Sequence, residues 1–304
     1  MKVIESDKSY RATKPTVLTL GNFDGVHLGH QRILQRVVQR AEQLNLPSVV
    51  YTFDPHPLKV VAPHKSPPLI TTGSDKARLI ASFGISRLVL AQFTREFAAQ
   101  HPTEFVEDVL MNQLKVREVW VGHDYTFGRG KRGTVEYLKE LGRGFGFAVH
   151  VVPAQKKNGT IVSSSLVRRY IQGGNVRDAA QLLGRHYTIT GTVVEGDRRG
   201  REIGFPTANI ASDGELMPKD GVYAAYVNLG RKRRPGVANI GLAPTFGREH
   251  PVLEVHIIDF KRPIYGREVR IEFVERLRGE RSFNDVGGLV RQITRDIEKA
   301  REAL

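Results

Sequence analysis

Residues 16–31, TVLTLGNFDGVHLGHQ, join a short apolar run to a turn with three glycines, one aspartate and two histidines. Residues 16–20 alternate branched and apolar side chains in the manner of a strand. The apolar residues that follow recur at helical spacing, at Ile33, Leu34, Val37, Val38, Ala41 and Leu44. The stretch predicts a strand, a turn and a helix, with His27 and His30 near the helix N-terminus, where unpaired N–H groups favour an anion. The pair alone also fits an alternative in which His30 caps the helix and His27 is a surface loop residue.

The alternation of strand and helix continues through the first half of the chain. Strand-like runs cover 48–53, 86–93, 117–122 and 147–153, and helical patterns cover 29–44, 75–83, 102–114 and 133–141. This order predicts an α/β domain, a Rossmann-like and mainly parallel sheet with helices on both faces. Ligands of such sheets bind beyond the carboxyl ends of the strands, where DPHP (54–57) and GHDYTFG (122–128) are expected beside the first turn.

After residue 185 the pattern changes to consecutive short strands between Gly/Pro turns. These runs cover 187–194, 221–229, 234–241, 252–260 and 268–277, and they predict a small antiparallel β-barrel. Two short helices around Gly173–Gly174 precede them, and a closing helix over roughly 285–302 follows. One face of that closing helix would carry Val286, Leu289, Ile293 and Ile297. We therefore expect two domains, 1–185 and 186–304.

Composition limits the compartment and the partners. The 304 residues include no cysteine, which excludes disulfides, thiolate metal sites and cysteine nucleophiles. No apolar run approaches the ~18 residues of a membrane span, and the first residues lack the apolar core of a secretory signal. We expect a cytoplasmic protein with no membrane partner.

The net charge of +14 raises the question of nucleic-acid binding. Residues 1–185 hold 26 Lys and Arg against 15 Asp and Glu, whereas residues 186–304 hold 20 against 17. The basic runs RGKRG (129–133) and RKRRP (231–235) lack the interleaved aromatic residues of a base-stacking surface. We interpret them as solvated loops and do not expect nucleic acid as a partner, although a positive field also suits an enzyme that binds nucleotides.

Four segments of the first domain suit a nucleoside triphosphate. They are the histidine turn, TFDPHP (52–57), GHDYTFG (122–128) and VSSSLVR (162–168). Their hydroxyls, imidazoles and arginine would gather at one sheet edge and support nucleotidyl transfer, in which an acceptor phosphate attacks the α-phosphorus of ATP and pyrophosphate leaves. His27 and His30 would stabilise the transferring phosphorus, and Ser164 and Arg168 the leaving phosphates.

Two features of the second domain are ambiguous by pattern alone. GREIGFPTANI (200–210) reads as a Gly-rich turn that enters a strand. Glu254 is the sole acid in the apolar core of the run LEVHIIDF (253–260). A buried carboxylate costs free energy unless it has a partner or a function, and an outward-facing glutamate fits equally well.

Taken together, these motifs resemble the bacterial family of bifunctional riboflavin kinase/FAD synthetases along most of the chain. The resemblance implies phosphorylation of riboflavin to FMN by residues 186–304, and adenylylation of FMN to FAD by residues 1–185. Riboflavin, FMN and ATP would be the substrates, with Mg²⁺ as cofactor, held mainly by nucleotide phosphates. The sequence departs from the family pattern at Val162 and Ser165, at Tyr125 and Thr126, and at Arg262 and Pro263.

The same resemblance implies a set of site residues. The catalytic residues would be His27 and His30 in the first domain and Glu254, the general base, in the second. ATP in the first domain would contact His27 and His30 together with Gly21, Phe23, Asp24, Gly25, Ser163, Ser164 and Arg168. FMN would lie against Asn22, Pro55, His56, Pro57, Asp124 and Phe127. The kinase site would comprise Gly204, Pro206, Thr207, Asn209, Arg278 and Phe283, with Thr207 and Asn209 at the metal.

Two other classes remain open at this point. One is a different adenylyl- or cytidylyltransferase with an unrelated barrel attached, which the identity of the acceptor would distinguish. The other is a basic nucleic-acid-binding protein, for which steeply salt-dependent oligonucleotide binding would be evidence.

Overall fold

The computed structural model describes residues 1–5, 10–196, 199–241, 252–283 and 285–304. The chain divides into two compact units, Met1–Ser163 and Ser164–Leu304. No helix among the described residues is both long enough and apolar enough to cross a membrane.

The first unit is built on a six-stranded parallel sheet. Its strands are β1 (Lys2–Glu5), β2 (Thr16–Leu20), β3 (Ser48–Asp54), β4 (Arg87–Gln92), β5 (Val116–Gly122) and β6 (Ala148–Val152). Their order is β1-β4-β3-β2-β5-β6. Every neighbouring pair is parallel, which confirms the predicted sheet. The edge strand β1 was not predicted, because only Ile4 of its four residues is buried and no alternating pattern is visible.

Helices cover both faces of this sheet, as predicted. On one face α1 (Leu28–Leu44) and α3 (Gly73–Ala81) pack over Val17, Val50 and Leu88. On the other, α5 (Pro102–Phe105), a π-helical segment (Val106–Gln113) and α6 (Val135–Phe145) pack over Leu18, Val49 and Val119. The single helix predicted over 102–114 is thus an α-helical turn that continues as a π-helix. The short helices α2 (Pro57–Val61) and α4 (Arg95–Ala99) and the hairpin of β7 (Lys156–Lys157) and β8 (Thr160–Ile161) complete the unit.

The strand order places a crevice at the carboxyl ends of β2 and β5. These strands are neighbours, yet β2 leads into α1 on one face and β5 leads toward α6 on the other. The two chain segments therefore part above the sheet edge, and such a point is where open α/β sheets bind their ligands.

The second unit is a closed barrel of six antiparallel strands with helices around it. The strands are β9 (Tyr187–Val194), β10 (Ala208–Ala211), β11 (Gly221–Leu229), β12 (Lys232–Gly241), β13 (Val252–Ile257) and β14 (Glu268–Arg278), in the order β10-β13-β12-β11-β14-β9. The helices are α7 (Ser164–Gln172), α8 (Val176–Leu183), α9 (Arg199–Glu202) and α10 (Val286–Ala303). The barrel and the closing helix confirm the predicted architecture.

The closing helix α10 docks through its second half. Ile297, Ala300 and Ala303 belong to the apolar cluster beneath it, and Asp296 is buried. Val286, by contrast, is 62% exposed, so the burial of the predicted apolar face does not extend to its first residue. The reason is that periodicity shows which residues share a face but not how far along the helix its partner extends.

Candidate active sites

His27 is the N-cap of α1, and its imidazole bonds to the backbone of His30. The Nδ1 atom of His27 accepts the N–H of His30 at 3.3 Å. The two rings stack with their centroids 3.7 Å apart and their planes 14° apart. Because Nδ1 accepts this bond, the ring proton of neutral His27 lies on Nε2. The structure thus excludes the alternative in which His30 is the cap, since His27 fills that position and is buried.

Gly29 explains why the two histidines can stack at this spacing. A Cβ atom at Gly29 would lie 3.1 Å from Cε1 and 3.2 Å from Nδ1 of His27. A larger side chain there would press on the ring that caps the helix. The motif therefore combines an imidazole that caps the helix, a glycine that leaves room for its ring, and a second imidazole one turn later.

His30 is held in its neutral form. Burial lowers its pKa well below 6.5. The ammonium group of Lys76 lowers it further, as would a second proton on the His27 ring. Its Nδ1 atom is buried and has no hydrogen-bond partner among the described residues. A buried polar atom without a partner costs free energy, so a ligand that hydrogen-bonds to His30 would recover it.

The turn that precedes the histidines has a constrained backbone. Phe23, Gly25 and Val26 have φ values of 50°, 80° and 38°, in the left-handed region that favours glycine. A Cβ atom at Gly25 would lie 2.9 Å from Cδ1 of Ile70. Such conformations persist only where neighbouring contacts stabilise them, and they are concentrated at functional sites.

Asp24 supplies those contacts. Its buried carboxylate accepts the N–H of Ile70 at 3.0 Å, and the N–H and hydroxyl of Thr71 at 3.1 and 3.2 Å. The Thr71 hydroxyl in turn accepts the N–H of Gly25 at 3.2 Å. Asp24 therefore joins the histidine turn to the segment before α3, which gives it a positioning role.

The residues expected at the flavin side differ in their exposure and in their contacts. His56 caps α2 by accepting the N–H of Leu58 at 3.2 Å, with Pro57 as the first helical residue and the exposed Pro55 before it. Asp124 is exposed after β5. Phe127 is buried in the core, where its ring lies 5.7 Å from that of Phe105.

An aromatic cluster at the same sheet edge was missed by the sequence reasoning. Its members follow three strands, with Phe53 at the end of β3, Phe93 and Phe97 after β4, and Tyr125 after β5. The Phe53 ring lies 5.1 Å from Phe93 and 5.6 Å from Phe97, and Tyr125 stacks on Phe127 at 5.8 Å. An aromatic residue at each strand end is the signal that could have revealed the cluster.

Lys76 was also missed, because it lies on α3 outside every motif. Its half-buried Nζ donates to the carbonyl oxygen of Phe53 at 3.3 Å and to the carbonyl oxygen of Asn22 and the hydroxyl of Thr52 at 3.5 Å each. Burial lowers the pKa of Lys76, although the carboxylates of Asp24 and Asp54 act in the opposite direction. The lysine places a cation at the carboxyl ends of β2 and β3.

The serine and arginine residues expected at the leaving phosphates fall on both sides of the boundary between the units along the chain. Ser163 ends the first unit, and Ser164 and Arg168 belong to α7 in the second. Arg168 is 8% exposed. Their approach to the histidine pair stays a prediction.

In the barrel, three polar residues face one another across neighbouring strands. Glu254 of β13 pairs in register with Asn209 of β10 on one side and with Asn239 of β12 on the other. Glu254 is half-buried, whereas its neighbours Leu253 and Val255 point inward and are buried. Residues opposite each other on antiparallel strands have Cβ atoms about 5 Å apart, so the row brings a carboxylate and two amides together. Asn239 was not predicted, since its strand showed no motif.

The turn before β10 leaves several polar groups accessible. Gly204, Pro206 and Thr207 are exposed, and the carbonyl oxygen of Pro206 lies 2.8 Å from Nδ1 of His256. A Cβ atom at Gly200 would lie 2.4 Å from the carbonyl oxygen of Phe205, so the turn is closed too tightly for a side chain there.

Arg278, expected at the kinase site, has a structural partner. Its guanidinium pairs with Asp296 of α10, with Nε–Oδ2 and Nη2–Oδ2 distances of 2.9 and 2.8 Å. Gln292 donates to the same carboxylate at 2.8 Å. Phe283, in the loop between β14 and α10, is half-buried.

Two family models match this chain, one after the other along the sequence. The family model for FAD synthetase matches residues 9–166, and the family model for riboflavin kinase matches residues 183–304. The bifunctional riboflavin kinase/FMN adenylyltransferase of Escherichia coli strain K12 is 39% identical over 287 residues, which cover 94% of this chain and 92% of the relative. The protein of that name from Listeria monocytogenes is 40% identical over 288 residues, which cover 94% and 91%. A crystal structure described as a macrolide-efflux protein from Streptococcus pneumoniae is 32% identical, with a TM-score of 0.90 over 99% of each chain.

Proposed function

The chain belongs to the family of bifunctional riboflavin kinase/FMN adenylyltransferases, and we propose from this premise how its residues carry the two reactions. The enzyme phosphorylates riboflavin to FMN and adenylylates FMN to FAD with release of pyrophosphate. The FAD synthetase region comes first in the chain and the riboflavin kinase region second. The site residues below are our assignments.

The adenylyl transfer centres on the His27–His30 pair, and the stacked, capped geometry of that pair is the observation that carries the proposal. An oxygen of the FMN phosphate attacks the α-phosphorus of ATP, a new P–O bond forms, and the bond to pyrophosphate breaks. Charge accumulates on the oxygens around the α-phosphorus. Nε2–H of His27, a donor from His30 and the backbone amides at the start of α1 stabilise that charge, and they need little reorganisation because the cap fixes them in advance.

The isoalloxazine ring of FMN and the leaving phosphates of ATP need separate binding residues. The aromatic cluster around Phe53 offers flat apolar surfaces for the isoalloxazine ring, next to Asn22 and the His56 loop. Ser163, Ser164 and Arg168 take the β- and γ-phosphates, for which hydroxyls and a guanidinium are suited. Gly21, Phe23 and Gly25 shape the turn, and Asp24 positions it.

Glu254 is the general base of the kinase. Its carboxylate accepts the proton of the riboflavin 5′-hydroxyl as that oxygen attacks the γ-phosphorus, and the bond between the γ-phosphate and ADP breaks. Asn209 and Asn239 flank the carboxylate in register and orient it. Gly204 and Pro206 form the turn at the nucleotide, and Phe283 lies at the flavin side.

Magnesium fits the donors of the kinase site. The Thr207 hydroxyl and the Asn209 amide oxygen are oxygen ligands, which Mg²⁺ prefers, and Thr207 is exposed. Among the described residues no group of three or more His, Asp or Glu side chains forms a metal cage. Thr207 and Asn209 would hold an ion that arrives with ATP, and that ion would neutralise phosphate charge.

We place the functional boundary at 185/186 and the enzyme in the cytoplasm, with small molecules rather than nucleic acid as partners. A fragment of residues 186–304 should form FMN but no FAD. A fragment of residues 164–304, which keeps α7 and α8, is the control for folding. A well-folded 186–304 fragment without kinase activity would disprove this division of labour.

The direct test is incubation of the purified chain with riboflavin and Mg–ATP, followed by chromatography of the flavins. FMN should appear first and FAD later, with one pyrophosphate per FAD. When FMN replaces riboflavin, FAD should form without a lag. Transfer of the nucleotide to a non-flavin acceptor alone would reject the assignment.

A further inference from the structure

The histidine pair supplies hydrogen bonds to adenylyl transfer but little positive charge. Nδ1 of His27 accepts the cap bond and so carries no proton, which leaves this ring neutral with its proton on Nε2, and the lowered pKa of His30 keeps the second ring neutral as well. Yet the reaction brings the phosphate of FMN against the α-phosphate of ATP, and two anions this close together repel each other. A cation close to the pair would offset this repulsion.

Lys76 is placed to be that cation. Its Nζ donates to three neutral oxygens at 3.3–3.5 Å, which are long distances for bonds from an ammonium group. Its charge already acts on His30. It also lies beside Phe53, whose ring belongs to the aromatic cluster.

The fold positions Lys76 through the histidine turn itself. Asp24 in that turn binds the amides of Ile70 and Thr71, and Thr72 then caps α3 by accepting the N–H of Asp75 at 3.1 Å. Lys76 follows on the first turn of this helix. The histidine turn therefore fixes the positions of both the two imidazoles and the ammonium group of Lys76.

We propose that Lys76 binds the phosphate of FMN and holds it against the α-phosphate of ATP during adenylyl transfer. The proposal rests on the placement of that reaction at the histidine turn. The ammonium group exchanges its weak bonds to carbonyl oxygens for charge-assisted bonds to the acceptor phosphate, and it stays protonated throughout.

The test compares Lys76→Met, which removes the charge, with Lys76→Arg, which keeps it. Lys139→Met is the control, because Lys139 is an exposed lysine on α6. Loss of a bond to a charged group should raise KM for FMN about 10- to 100-fold in Lys76→Met and lower kcat, with KM for ATP nearly unchanged. Lys76→Arg should recover part of the loss. The riboflavin kinase rate of the same preparations should equal that of the wild type.

The pH profile adds a readout that a purely structural lysine would not change. Since the pKa of Lys76 is lowered, kcat/KM for FMN should decline on the alkaline side as the ammonium group loses its proton. Arginine stays protonated there, so Lys76→Arg should lack this decline. Asp24, Asp54 and His30 are the other titratable groups around Nζ, and all three are retained in the variant.

Several results would overturn the proposal. One is an unchanged KM for FMN in Lys76→Met, and another is a rise confined to KM for ATP, which would assign the lysine to the nucleotide. If Lys76→Met fails to fold, Lys76→Arg provides the test. A folded arginine variant that binds FMN supports a charge-based role, and one with no affinity for FMN contradicts it. Wild-type FAD synthesis by a His27→Asn variant would instead reject the placement of the reaction, whatever Lys76 does.

Discussion

The Nδ1 atom of His27 accepts the backbone N–H of His30 at 3.3 Å while the two rings stack 3.7 Å apart. One side chain thus begins the helix that carries the second imidazole and orients both rings toward the same edge of the sheet. The helix cap uses Nδ1 of His27 and leaves Nε2 for a ligand. Capping and ligand binding can therefore be separated by substitution.

His27→Asn should separate the cap from the chemistry. Asparagine is a good N-cap, so the free energy of unfolding should stay within about 1 kcal/mol of the wild type. The variant lacks the Nε2 donor, and FAD formation from FMN should fall by about 10²–10³-fold, the range for loss of one preorganised donor. His27→Ala should slow FAD formation by a similar factor, and it should also lower the free energy of unfolding because alanine cannot cap the helix. Initial rates and thermal unfolding measure the two effects, and the riboflavin kinase rate should not change.

His30 should make the protein less stable in acid. Its folded pKa is lowered below 6.5, so below that pH the unfolded chain binds a proton that the folded chain does not. This contribution to stability is complete above pH 6.5 and is lost as the pH falls toward the folded pKa, by at most about 1.4 kcal/mol per pH unit. His30→Gln should show a shallower decline between pH 7 and 5 in denaturant titrations.

Glu254→Gln should stop the kinase and spare the adenylyltransferase. The substitution keeps the shape of the side chain but removes the proton acceptor, so conversion of riboflavin to FMN should fall by about 10²–10⁴-fold. FAD should still form from supplied FMN at nearly the wild-type rate. Glu268→Gln, at the exposed start of β14, is the matched control and should leave both rates unchanged. Near-normal kinase turnover in Glu254→Gln would require a different base.

The Arg278–Asp296 pair should hold α10 on the barrel. The two side chains are 14% and 3% exposed, and loss of one member of a buried pair leaves the other charge without compensation. Asp296→Asn should therefore lower the free energy of unfolding by about 3–5 kcal/mol. Asp259→Asn breaks the exposed pair with Arg301 and should cost about 1 kcal/mol or less. Equal stability of the two variants would contradict a structural role for the Arg278–Asp296 pair.

Local patterns were enough to predict most of the elements and the architecture of both units. Strand β2 and the helix after it follow directly from residues 16–44, because a hydrophobic period of two or of 3.6 is a property of neighbouring residues. The parallel sheet and the barrel follow from the order of such elements, since few connections between them are possible. The His27–His30 pair was visible for the same reason. Thr207 and Asn209 were assigned only through the family resemblance, because their turn is ambiguous by pattern alone.

The partners of individual side chains were decided only by the tertiary structure. Lys76 reaches the site from α3 because Asp24, 52 residues earlier in the chain, binds the amides that precede that helix. Asn239 faces Glu254 through the register of β12 and β13, and Arg278 meets Asp296 only when α10 packs on the barrel. Sequence patterns record which residues are apolar and how they are spaced. They do not record which distant strand, turn or helix comes within hydrogen-bond distance, because that depends on the packing of the whole unit.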